Sequence, residues 1–176
     1  MDIVRVGDKL INKEKVHSFV DSVFKLRQQG LSQQDVAKKL RTDRTIISRL
    51  EGIGEIRKGA SIAVIGFPLK NKEEIEEVLL DVGIEFYLLM TEAERWDFVG
   101  KKNGLELLNR VTEIIAKARA CDVVIIIGSN SRIKVAEALL DKQVLGMEIG
   151  QSPIEEDKYV DPEQLRTLLA SISNKA

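Results

Sequence analysis

The run Ser61-Ile-Ala-Val-Ile-Gly-Phe-Pro-Leu-Lys-Asn-Lys-Glu-Glu-Ile-Glu-Glu-Val-Leu-Leu-Asp-Val-Gly-Ile-Glu-Phe-Tyr-Leu-Leu-Met90 decides how most of this chain folds. It opens on a short apolar stretch, Ile62 to Gly66, which ends in glycine, as expected for a strand covered on both faces. From Asn71 or Lys72 to about Asp81 the period changes. Ile75, Val78 and Leu79 recur at three-and-four spacing, the mark of a helix with one buried side. Ile84–Met90 is apolar again and reads as a second strand. Strand, helix and strand at this spacing form a βαβ unit and call for a parallel sheet.

Toward the C-terminus the alternation continues. Thr91–Gly100 reads as an acidic, irregular stretch holding Trp96. Leu105 to Ala118 reads as a long helix with Leu107, Leu108, Val111, Ile114 and Ile115 inside. Asp122–Ile127 is a third strand ended by Gly128, Ser131–Leu140 a helix, and Val144–Ile149 a fourth strand ended by Gly150. Pro162–Ile172 closes the chain as a helix, with Asp161 as its N-cap and Pro162 in the first position. The fold class is α/β. Residues 61–176 form a small three-layer parallel-sheet domain, Rossmann-like or flavodoxin-like, with 2-1-3-4 as the natural strand order.

That order makes a switch point between the first and third strands, where open α/β sheets bind ligands beyond the carboxyl ends of their strands. Both strands end in glycine there, in Gly66-Phe-Pro-Leu and Gly128-Ser-Asn-Ser-Arg132. The second of these runs straight into a helix. Its free amides, with Ser129, Asn130, Ser131 and the charge of Arg132, form a candidate site for a phosphate or carboxylate. Gly150-Gln-Ser-Pro153 is a third loop at the same end. Neither the dinucleotide fingerprint nor the P-loop pattern occurs. A small anionic effector and a purely structural or dimerising role both stay open for this domain.

Toward the N-terminus, residues 53–60 carry Gly54 and Gly59 and read as a linker in which Arg57 and Lys58 can touch phosphate. Before it stands Leu31-Ser-Gln-Gln-Asp-Val-Ala-Lys-Lys-Leu-Arg-Thr-Asp-Arg-Thr-Ile-Ile-Ser-Arg-Leu-Glu51, two short helices joined by a tight turn. Ser32 is the first N-cap, with Asp35 completing a capping box. Val36, Ala37 and Leu40 face in, and Ala37 is small where the helices cross. Asp43 caps the second helix, which buries Ile46, Ile47 and Leu50. Its other side carries Arg44, Thr45, Ser48 and Arg49, all hydrogen-bond donors. A preceding helix, Lys13 to Gln29, supplies a scaffold through Val16, Phe19, Val20, Val23, Phe24 and Leu26, and Gly30 ends it. Residues 2–11 alternate enough for a short strand or hairpin.

The residues L-S-Q-Q-D-V-A-K-K-L and D-R-T-I-I-S-R-L-E-G, over 31–52, resemble the lambda-repressor/Cro-type (XRE) helix-turn-helix family. The resemblance implies that residues 1–52 are a three-helix DNA-binding domain of a dimeric transcription regulator. It also implies that helix 44–51 enters the major groove by its N-terminal end. Arg44 and Thr45 then face base edges, and Ser48 and Arg49 reach bases or phosphates. Gln33 and Gln34, at a helix N-terminus, are placed for a phosphate. Two features depart from the family. Arg41 stands at the usual turn glycine, where a positive φ would cost about 1 kcal/mol or be relieved by a changed turn. The family's later helices have no counterpart, because the strand-like run begins near Ser61.

The net charge of −1 conceals an asymmetry. Up to residue 60 there are 13 Lys and Arg against 8 Asp and Glu; beyond it there are 14 against 20. A basic head on an acidic body suits a protein that offers DNA one end. Cys121 is the single cysteine and its apolar setting suits a buried thiol. His17, the single histidine, has no partner for a metal or a nucleophile, so no catalytic residue, metal or cofactor is expected. Glu92, Glu94 and Asp97 cluster near Trp96 and read as a solvated acidic loop. No stretch reaches the ~20 apolar residues of a membrane span and no signal-peptide core is present, so a cytoplasmic protein is expected. The reading is a regulator, not an enzyme. Two rivals are an enzyme acting on a phosphorylated small molecule with a DNA tether, and a DNA-binding assembly factor with no effector.

Overall fold

The computed structural model describes residues 2–55, 61–84, 86–101, 103–140 and 143–173. The chain divides into two compact units, Met1–Glu55 and Ile56–Ala176.

The first unit begins with an antiparallel hairpin, β1 (Ile3–Val6) and β2 (Lys9–Asn12). The Asn12 side chain caps α1 (Lys13–Gln28) by accepting from the amide of Lys15. Ser32 caps α2 (Gln33–Lys39) by accepting from the amide of Asp35. Arg41, at φ 51, then reverses the chain into α3 (Arg44–Gly54). Asp43 holds the N-cap position of α3, but its side chain makes no cap bond. The core is narrow: Val23, Val36, Ala37 and Ile47, bordered by Phe19, Leu26, Leu31, Leu40 and Leu50. A stripe this narrow cannot cover two adjacent positions of α3. Ile47 is buried, whereas Ile46 is 44% exposed and Val16 of α1 is also exposed, against expectation. The helix α3 also runs through Gly54, past the expected end at 51 and into the first residues of the segment expected as a linker. Arg57 and Lys58 lie outside the described residues.

The second unit runs β3 (Ile62–Gly66), α4 (Lys72–Val82), β4 (Phe86–Leu89), α5 (Glu92–Gly100), α6 (Gly104–Ala120), β5 (Val123–Ser129), α7 (Asn130–Leu139), β6 (Gln143–Gly150) and α8 (Pro162–Ile172). The sheet order is β4-β3-β5-β6 with every neighbouring pair parallel, which is the expected 2-1-3-4. Ala63 lies opposite Phe86 on one side and Val124 on the other. Strand alternation sends Ile62, Val64, Val123, Ile125 and Ile127 to one face, packed with Ile75, Val78 and Leu79 of α4 and Leu165, Leu169 and Ile172 of α8. It sends Ala63, Val124 and Ile126 to the other, toward Ala118 of α6 and Ile133 and Ala136 of α7. The sheet is therefore the middle layer of three.

Residues 92–100 are helical where an irregular stretch was expected over 91–100. Thr91 and Glu94 form a full capping box, each side chain holding the other's backbone amide. Asn71 does not cap α4 with its side chain. Its buried amide donates to the carbonyl of Val160 at 2.8 Å and accepts from the Val160 amide at 3.0 Å, clipping the segment before α8 to the loop after β3. Among the described residues no helix is long and apolar enough to cross a membrane.

Candidate functional site

In the first unit the four donors predicted on α3, Arg44, Thr45, Ser48 and Arg49, are all solvent-exposed. Gln34 is exposed at the start of α2, while Gln33 is half-buried. The reason is a hydrogen-bonded chain that joins the three helices. Arg27 of α1 donates from Nε to Glu51 Oε1 at 2.5 Å, and from its terminal nitrogen to the carbonyl of Leu31. Gln33 Nε2 donates to the other Glu51 oxygen at 2.6 Å. Arg44 Nε in turn donates to Gln33 Oε1 at 3.3 Å. These bonds fix which way the Gln33 amide points, and so brace the stem of Arg44 while its terminal nitrogens make no described hydrogen bond. The bond from Arg27, then that from Gln33, holds the Glu51 carboxyl below its ordinary range. Gln33 thus spends its amide on Glu51 and Arg44 within the unit. Its partners are residues 44 and 51, and Arg27 joins the chain through Glu51; sequence spacing alone does not join positions that far apart.

In the second unit the predicted ligand residues do gather at the carboxyl ends of β3 and β5. Gly66 is a packing residue, since a Cβ there would meet Leu69, Leu89 and Ile127 at 3.1 to 3.3 Å. Gly128 has ordinary room, 3.6 Å from the Phe67 carbonyl. Asn130 ties two loops together. Its Oδ1 accepts from the amides of Ser131 and Ser152, and its Nδ2 donates to Gln151 at 2.6 Å. Ser129, Ser131 and Arg132 border pockets at these loop ends. Ser129 is 3% exposed and sits at the N-cap of α7 without capping it; its hydroxyl has no hydrogen-bond partner among the described residues. The Arg132 guanidinium stacks on the Phe67 ring at 4.8 Å. Desolvation, then the charge of Arg95, lowers its pKa, and Glu92 opposes this.

No family model, curated protein or solved structure matches this chain.

Beside these polar groups lies an apolar cavity of about 700 Å³ between one sheet face and α5, α6 and α7. Sequence reading placed Leu107, Leu108, Val111, Ile114 and Ile115 in a filled core. Instead Leu107, Val111, Ile114 and Ile115 line the cavity, while Leu108 is 61% exposed on the outer side of α6. Their spacing correctly marked an apolar stripe, but Ile65, Leu88 and Ile126 of the sheet line the opposite wall of the cavity rather than filling it. The second group missed was Arg95 and Trp96, on the roof helix α5. The signal for that helix was Thr91-x-x-Glu94, a capping box legible in the sequence.

The acidic residues of α5 are engaged locally. Glu92 Oε1 takes Arg95 at 2.5 Å and the Trp96 indole at 2.9 Å, Glu94 takes Lys72 at 2.7 Å, and Asp97 takes Lys101. No cluster of metal-ligating side chains occurs among the described residues. His17 is exposed on α1, and Cys121 is buried.

Proposed function

We propose that this chain is a sequence-specific DNA-binding regulator whose second unit senses a small anion. One observation carries the DNA reading. The exposed side of α3 presents Arg44, Thr45, Ser48 and Arg49 together, and Arg44 is braced at its stem by Gln33 and Glu51. A pre-oriented guanidinium at a helix N-terminus suits the paired acceptors of a guanine edge, a contact worth about 1–3 kcal/mol of discrimination. The basic balance of the first 60 residues supports the same reading by drawing the phosphate backbone.

A single α3 spans few base pairs, so useful specificity needs two heads. Two-fold symmetry would set the two helices about 34 Å apart, one turn of DNA. Exposed apolar side chains such as Leu105 and Leu108 of α6, and Val6 and Leu10 of the hairpin, are surfaces a second copy can cover. The unpartnered Ser129 hydroxyl and the Arg132 guanidinium support the effector reading.

The test is selection of bound fragments from random duplex DNA at moderate salt, followed by Arg44→Ala. Affinity for the selected sequence should fall by about 1–3 kcal/mol while affinity for bulk DNA stays near that of the parent. Absence of any enriched sequence would overturn the reading. Equal losses on both DNAs would reduce Arg44 to a backbone contact.

A further inference from the structure

This inference rests on the effector reading above and narrows the chemistry of the effector. Two pockets meet under α5. The apolar cavity of about 700 Å³ is walled by Ile65, Leu88 and Ile126 of the sheet and by side chains of α6 and α7. A polar pocket of about 400 Å³ adjoins it, and Phe67, Arg95, Trp96, Arg132 and Ser152 border both.

The polar end lacks its counterpart. Arg95 is satisfied by Glu92 at 2.5 Å, but Arg132 has no ion pair among the described residues, and Glu155, the other carboxylate bordering this pocket, is exposed to solvent. Ser129 borders the polar pocket with an unpartnered hydroxyl, and a buried hydroxyl left unmet costs about 1–3 kcal/mol. The N-terminal end of α7 adds its dipole at the same place. An apolar guest would leave these groups unmet; inorganic phosphate would leave the apolar cavity unfilled.

We infer that the cavity binds an amphiphilic anion. A single carboxylate or phosphate monoester sits against Arg132, Ser129 and the start of α7, and an alkyl or aryl body lies between the sheet and α6. The cavity volume falls in the range of drug-sized ligand sites, roughly 300–1,000 Å³.

Trp96, the only tryptophan, borders both pockets and reports on them directly. The full chain is titrated with decanoate, octyl phosphate, decanol, sebacate and inorganic phosphate, reading Trp96 emission and the melting temperature. Decanoate or octyl phosphate should saturate at one per chain, and whichever binds tighter identifies the head. Decanol should bind at least about tenfold more weakly, in line with the loss of one charge-assisted contact. Sebacate should also bind more weakly than decanoate, because its second carboxylate would have to enter the apolar cavity. Inorganic phosphate should leave the emission unchanged. Arg132→Gln should weaken the anions about tenfold to a hundredfold and leave decanol alone. Val111→Phe, on the exposed rim, should obstruct all the amphiphiles by thermal shift.

Equal binding of decanol and decanoate, or indifference to Arg132→Gln, would overturn the inference. So would silence of every amphiphile together with dissociation of a dimer by Leu107→Asp, which would make the cavity a seam between copies. A labelled DNA fragment in the same samples separates the two readings. DNA bound without any amphiphile sinks this inference alone; amphiphile bound without DNA sinks the DNA reading alone.

Discussion

The two faces of the one parallel sheet are built from the same strands and differ in what they enclose. On the α4–α8 face, side chains of both helices meet Val64, Ile125 and Ile127 and exclude water fully. On the α6–α7 face the inward residues are smaller, Ala63 at the centre, and α6 contributes only Ala118 as a buried side chain. Alternation along a strand decides which face a residue joins. It does not decide how far away the covering helix stands. That distance is set by side-chain volume summed across a layer, and here one layer is short of volume.

Leu165→Ala offers the largest effect and the most direct check of the filled face. It empties a fully buried site and should cost about 2–5 kcal/mol, read from urea unfolding followed by Trp96. Val111→Ala on the opposite face should cost no more than about 0.5 kcal/mol by the same measurement, because the residue is already 38% exposed. Comparable costs would mean that the two faces do not differ.

Gly146→Ala should come next, at about 1–3 kcal/mol. A Cβ at Gly146 would lie 2.5 Å from Ile133 Cγ2, so α7 must lift from the sheet. A parent-like melting curve would show that α7 has slack.

The smallest effect concerns the tie between the two faces. Lys72 of α4 holds Glu94 of α5; its bond, then the Thr91 amide, lowers the Glu94 pKa from its ordinary 4.5. A lowered folded pKa stabilises above about pH 4.5 and loses that contribution as pH falls through the folded value. Glu94→Gln should therefore flatten the acid limb of the Trp96 signal and change little at neutral pH. An unchanged acid limb would mean that the tie does not hold α5.

Much of this was legible in the sequence, and the gaps have physical causes. Ile62–Gly66 and Pro162–Ile172 were bounded as found, because an unbroken apolar run and an Asp-Pro start are local signals. The strand order followed from the alternation of elements. Helix α5 was missed because its acidic residues masked a capping box. The cavity was missed because the same three-and-four stripe serves a filled core and a lined hollow. On α3, the exposed donors were legible, but Ile46 was misplaced, since burial depends on the width of the neighbouring layer. The brace formed by Gln33, Glu51 and Arg27 needs tertiary placement, which no spacing rule supplies.

That brace has an evolutionary corollary. Because the amide of Gln33 is orientated by Glu51, exchanging Glu51 for a residue of opposite hydrogen-bonding sense would turn Gln33 over and re-aim Arg44. If α3 reads DNA as proposed, a lineage could thereby drift to a new preferred sequence while every residue on the outward side of α3 stayed the same. On that proposal, descendants that share an identical outward surface need not share a target.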